Sequence, residues 1–169
     1  MVYRVGVGHI SRFLQDVDIF RGLSDRHLER VAALCSEYPF SEGDYLAVQD
    51  EPGDRLYVVQ SGSVTATTGR DEAKLVVRTV QERETFPVAA LFEPPLLITA
   101  ARAATDGSAL VIPRVSFMEL CEIEPIIGLH IYRAACSVLA SRYRYALHRL
   151  EDSMSAPMQL DPHWSGTEV

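Results

Sequence analysis

Between Tyr38 and Pro113 the chain is written in short pieces rich in β-branched and aromatic residues, DYLAV, RLYVVQ, SVTATT, KLVVRTV and ALVIP. Turn formers separate most of them: SEGD, DEPGD, SGS and GRDEA each combine Gly with polar residues. Strands spaced about a dozen residues apart or less leave no room for crossover helices, so they must pair antiparallel. A sandwich or roll follows, and a parallel α/β sheet is excluded.

Helices are expected on both flanks. Ser24 is a good N-cap with Asp25 in the first turn, and Leu28, Val31, Ala32 and Cys35 repeat at helical spacing, which predicts a helix over 25–36. Ile10, Phe13, Leu14 and Val17 predict another over 9–18, ended near Gly22. Downstream, Phe117, Leu120 and Cys121 share a face of a helix that stops before Pro125, because a residue preceding proline is pushed out of the helical region. A second helix then runs from Pro125 to about Asp152. Its seam of Ile127, Ile131, Ala134 and Val138 continues through Ser141, Tyr145 and His148 at alternating spacings of four and three.

The fold class is therefore mainly β with flanking helices. One domain spans 1–152, with N-terminal helices within 9–36, a jelly-roll-like β-roll of short antiparallel strands over 38–113, and helices over 114–152. The remaining residues, 153–169, mix Pro, Gly and Ser without a period and read as a tail. A length of 169 residues, 47% hydrophobic, fits one such domain with a core of its own.

Charge narrows the function. A formal charge of -7 and a pI near 5.2 argue against a nucleic-acid binder, whose affinity rests on cations displacing phosphate counterions. Arg142-Tyr143-Arg144-Tyr145 mixes cations and aromatics, but on a helix these four residues spread around the circumference. No apolar run is long enough for a membrane span and the start lacks a signal-peptide core, so a cytoplasmic location is expected. Cys35, Cys121 and Cys136 are odd in number, lie among apolar helical neighbours and form no CxxC, which predicts buried reduced thiols.

Enzyme chemistry finds little purchase. The five histidines are scattered over helices and the tail rather than over strands, where a cupin-like metal roll would hold its ligands. Gly6-Val7-Gly8 begins like a dinucleotide fingerprint, but Ser11 replaces its third glycine and no βαβ unit follows. No nucleophile motif is present. A non-catalytic protein is expected.

The segment FSEGDYLAVQDEPGDRLYVVQSGSV resembles the cyclic nucleotide-binding domain family in its Gly43-Asp44 and Gly53-Asp54 turns, its Leu56-Tyr57-Val58-Val59 strand and Gly62. IFRGLSDRHLERVAAL and SFMELCEIEP resemble that family's opening and penultimate helices, so the likeness covers roughly residues 13–150. The resemblance implies a phosphate-binding cassette, in which Phe-Gly-Glu opens a short helix and Arg-Ala-Ala-Thr follows. Here Phe86-Pro87-Val88-Ala89 stands in the first place and Arg102-Ala103-Ala104-Thr105 in the second. Arginine would pair with the cyclic phosphate and glutamate would accept from the ribose hydroxyl.

Three departures follow. Pro87 replaces the glycine, and Val88 replaces the glutamate with a side chain that accepts no hydrogen bond. Sixteen positions separate Phe86 from Arg102 (102 − 86), more than the family's cassette allows, and the added FEPPLLITA is apolar. Arg102 either holds an anion or pairs with a carboxylate at the surface. The expectation is a non-catalytic regulatory or sensor module with a degenerate pocket, taking cyclic AMP, cyclic GMP or another anionic nucleotide weakly. The alternative is a ligand-free scaffold for dimerisation or protein interaction, with FEPPLLITA filling the pocket. A homodimer through Ile127, Ile131, Ala134 and Val138, or an unknown protein partner, would carry the output, with neither nucleic acid nor membrane involved.

Overall fold

The computed structural model describes residues 6–69 and 75–153. The chain divides into two compact units, residues 1–135 and 136–169. The first opens with α1 (Val7–Leu14) and α2 (Asp25–Ala32). The Ser24 side chain caps α2 by accepting from the His27 N–H at 3.4 Å. Both helices are shorter than their periodicity predicts. After Ala32 the chain tightens into turns in which Leu34 and Cys35 donate to the carbonyls three residues back, and Ser36 already belongs to the first strand. Val17, Ile19 and Phe20, which follow α1, are fully buried in turns rather than in helix.

Eight described strands follow: β1 (Ser36–Phe40), β2 (Tyr45–Ala47), β3 (Arg55–Ser61), β4 (Val64–Thr68), β5 (Leu75–Val80), β6 (Thr85–Phe86), β7 (Ala100–Ala103) and β8 (Gly107–Pro113). A 3₁₀ helix, Val88–Leu91, lies between β6 and β7. They form two antiparallel four-stranded sheets, ordered β1-β8-β3-β6 and β2-β7-β4-β5, so the roll expected from the turn spacing is the fold observed.

Strand alternation fills the space between the sheets. Tyr57 and Val59 of β3, Ala109 and Val111 of β8, Val64 of β4, and Ala101 and Ala103 of β7 join one apolar cluster with Phe40, Phe86 and Leu97. The first sheet is also buried on its other face: Leu56, Val58, Leu110 and Ile112 are fully covered, and α3 (Arg114–Ile123) packs on β3 and β8. Phe117 of α3 meets Phe20 edge to face at 6.1 Å.

Helix α4 runs Pro125–Ser153, with its residues up to Ala135 in the first unit. Ile127 and Ile131 are fully buried within that unit. This corrects their assignment to a dimer seam: the chain's own core takes up both side chains, and Ala134 is half-buried. Glu124, between α3 and α4, gathers Arg26, His27 and Arg30 of α2 within 3.4 to 3.8 Å. In the second unit, 136–153 is helical, with Val138 half-buried and Tyr143 and Tyr145 exposed. The tail from 154 onward lies outside the described residues. Cys35 and Cys121 are half-buried and Cys136 is exposed, which corrects the expectation of three buried thiols.

Candidate functional site

The cassette begins where β6 ends. Phe86 pairs with β3 opposite Tyr57, and the two rings stack at 5.2 Å. Pro87 then caps the 3₁₀ helix, whose Ala90 N–H donates to the Pro87 carbonyl at 3.1 Å. Proline is tolerated there because a helix's first N–H groups have no partner within the helix. Val88 and Ala90 are buried, and Ala89 packs against the roll's apolar cluster. Arg114 holds the far end of this turn, donating Nε to the Ala90 carbonyl at 2.8 Å and pairing through Nη2 with Glu93.

The segment after it runs back along the 50–53 turn. Asp50 N–H donates to the Leu97 carbonyl at 2.7 Å, Leu97 N–H to the Glu51 carbonyl at 3.0 Å, and Gly53 N–H to the Pro95 carbonyl at 2.6 Å. Leu96 and Ile98 consequently face outward while Leu97, 4% exposed, enters the core. Gly53 allows the close approach: a Cβ there would lie 2.8 Å from both the Ala90 Cβ and the Leu97 Cδ2. The space over Gly53 is thus filled by Leu97 and Ala90, and Val88 at the start of the 3₁₀ helix is buried as well.

Arg102 lies elsewhere. In β7 its neighbours Ala101 and Ala103 are buried, so strand alternation turns Arg102 to the opposite, outward face. There it stands opposite Tyr45 of β2 and Thr65 of β4. Its Nε donates to the Gly43 carbonyl at 2.9 Å and its guanidinium sits 5.6 Å from the centre of the Tyr45 ring. Gly43, at φ +93°, carries no side chain to crowd the Arg102 Nη2. An open cleft of about 580 Å³ results, lined by Glu42, Gly43, Tyr45, Thr65, Thr67, Arg102, Ala103 and Ala104.

The two halves expected to hold one ligand are therefore not brought together. Arg102, Ala103 and Ala104 line the outward cleft, whereas Pro87, Val88 and Ala89 do not. Thr105 caps a neighbouring turn, its hydroxyl accepting from the Ser63 N–H at 3.1 Å. The extra spacing between Phe86 and Arg102 is absorbed by the stretch that sends Leu97 inward. Sequence reading named Gly53 only as a turn residue and FEPPLLITA only as a whole, without singling out Leu97 as its inward residue. The signal available was the run Leu96-Leu97-Ile98, whose alternation places a single residue inside.

The thiols with a resolved shift are held in their neutral form. Burial pushes the Cys35 thiol up to about 12 and Cys121 to about 11, and it also raises the Tyr57 hydroxyl. Asp54 lies below its ordinary value because it accepts hydrogen bonds from Arg55. Among the described residues no cluster of three His, Cys, Asp or Glu could hold a metal ion, and no helix is long and apolar enough to cross a membrane.

A family model described as the cyclic nucleotide-binding domain matches residues 38–124, from β1 to the junction of α3 and α4. The chain belongs to the cyclic nucleotide-binding domain family. This domain is 29% identical over 115 residues to a cGMP-dependent protein kinase of Caenorhabditis briggsae, a match covering 66% of this chain and 15% of that kinase. Among solved structures it superposes on a cyclic nucleotide-binding domain from Methylobacillus flagellatus KT with a TM-score of 0.76 at 14% identity, covering 90% of this chain and 86% of that one. The regulatory domain of Toxoplasma gondii PKA, solved with cAMP, gives a TM-score of 0.66 at 25% identity, over 76% of this chain and 49% of that one. The domain thus resembles the regulatory domains of cyclic-nucleotide-dependent kinases, and it has their β-roll.

Proposed function

We propose that this chain is a non-catalytic regulatory module whose roll interior has been converted from a nucleotide pocket into core, so that its output runs through association with another protein. One observation carries this reading: Val88 and Leu97 are 3% and 4% exposed beside the 3₁₀ helix, with Ala90 and Leu97 closed onto Gly53. A cyclic nucleotide entering there would bury a ribose hydroxyl and a phosphate among apolar side chains, leaving polar groups without partners. The regulatory domain of Toxoplasma gondii PKA was solved with cAMP, so a domain of this fold can take such a ligand.

Thermal-shift titration and calorimetry with cyclic AMP and cyclic GMP test the proposal. A ligand at a hundredfold excess over its Kd adds roughly 2.7 kcal/mol of stability. No shift at millimolar nucleotide is expected, and micromolar binding would refute the closed interior. A second reading, a sensor for a different anion, draws on the open cleft around Arg102. Inorganic phosphate or 5′-AMP, titrated against wild type and Arg102→Ala, addresses it directly: binding lost in the variant would support that reading.

A further inference from the structure

The first unit carries another concavity besides the cleft around Arg102. It is a groove of about 510 Å³ between the 3₁₀ helix, α3 and the first turns of α4. Its floor is apolar: Leu91, Phe92, Val115, Met118 and Tyr132. Val115 is 64% exposed, and Phe92 and Tyr132 form a ring pair at 6.0 Å while the Tyr132 hydroxyl reaches the Met118 sulfur. Leu129 and Ile126 extend the apolar surface along α4 at three-residue steps, 64% and 66% exposed. Exposed apolar side chains grouped beside a groove make it a candidate interaction site.

Charge identifies the occupant. The rim is formed by Glu93, Glu119 and Glu122. The single cation among the lining residues, Arg114, is committed to the Ala90 carbonyl and to Glu93. Acidic lipid or nucleic acid would be repelled by this rim. A second copy of the chain docking by two-fold symmetry would bring the same acidic rim against itself. We propose that this groove docks a basic amphipathic segment of a partner protein, its apolar side chains on Met118, Phe92 and Tyr132 and its Lys or Arg residues against Glu119 and Glu122. This supplies the associating partner that the proposed function requires, but it holds whether or not a nucleotide binds, so the nucleotide titrations and the peptide test fail independently.

The probe is a fluorescein-labelled 15-residue Leu/Lys amphipathic peptide, followed by anisotropy with the full chain, and a Leu/Glu peptide of the same pattern serves as control. Saturable binding of the cationic peptide is expected, weakening as salt rises. Glu119→Lys/Glu122→Lys should weaken it on the order of tenfold, since both rim charges reverse. Val115→Asp, a change at an exposed position that leaves the core untouched, should weaken it comparably. Glu37→Lys on β1 should leave it unchanged, which separates docking from attraction to an acidic protein in general. Equal binding by the rim variants and wild type, equal binding of the Leu/Glu peptide, no binding at all, or self-association lost in Val115→Asp would each overturn the proposal.

Discussion

The two faces of the sheet β2-β7-β4-β5 differ as sharply as any two surfaces of the molecule. Towards the first sheet it presents Ala101, Ala103, Val64 and Ala66, all buried. Away from it the same strands present Tyr45, Thr65, Thr67 and Arg102 around an open cleft. Three consecutive residues of β7 contribute to both faces, because side chains alternate along a strand. A motif recognised as one unit in sequence, Arg-Ala-Ala-Thr, is thereby divided in space: Ala103 is buried in the interior, whereas Arg102 and Ala104 serve the exterior. The lesson is that a binding residue is defined by the face it occupies as much as by its chemistry.

Substitutions can break or sharpen that contrast. The largest effect is expected from Val88→Glu, which places a carboxylate in the closed interior without a partner and should cost about 3–5 kcal/mol near neutral pH. Desolvation raises that carboxyl's pKa, and the protonated form is the cheaper one to bury, so the penalty should shrink as pH falls through the raised value. Denaturant unfolding at pH 4 and pH 7 measures both the cost and its sign. The same variant should gain no cyclic AMP affinity, because Leu97 still fills the space, and a gain would show that the interior is open.

Leu97→Ala should cost about 2–5 kcal/mol, the range for emptying a core leucine site. A cost under about 1 kcal/mol would place Leu97 at the surface with Leu96 and Ile98. Gly53→Ala should cost about 1–3 kcal/mol through overpacking, since its new methyl meets Ala90 and Leu97. Removing the neighbour in Gly53→Ala/Leu97→Ala should recover part of that loss, and strict additivity of the two changes would deny the contact. Arg102→Ala, at the far end of the scale, should alter stability by no more than about 0.5 kcal/mol, as exposed positions do. A larger loss would mean that its hydrogen bond to the Gly43 carbonyl holds the β2 edge in place.

Much of this architecture was legible beforehand. Turn glycines and polar residues at 41–44, 50–54 and 61–63 punctuate the strands through local chemistry, and the junction before Pro125 follows from proline sterics. The side of β7 on which Arg102 falls was not legible, because alternation states only that Arg102 opposes Ala101 and Ala103; pairing with β2 and β4 decides which face is covered. The same limit applies to Ile127 and Ile131. A period of three and four shows that a helix has an apolar stripe, but a stripe looks the same whether its cover is the chain's own roll or another molecule. Cys136 shared apolar neighbours in sequence, yet one step along a helix from buried Ala135 rotates a side chain by about 100° and carries it out to solvent.

The pairing of the 50–53 turn with residues 95–97 has a further consequence for how this domain can change over generations. Its contacts run between peptide groups: Asp50 and Gly53 donate to the carbonyls of Leu97 and Pro95, and Leu97 donates back to Glu51. Bonds of that kind are indifferent to which side chains flank them, so drift at Glu51, Leu96 or Ile98 leaves the clasp intact while each outward position explores new chemistry. The inward position is different, for it inherits whatever orientation the clasp imposes. On the proposed reading, a polar interior would not come about by a single substitution at Val88. It would require Leu97 to change as well, in a frame that the main chain holds still: two steps rather than one.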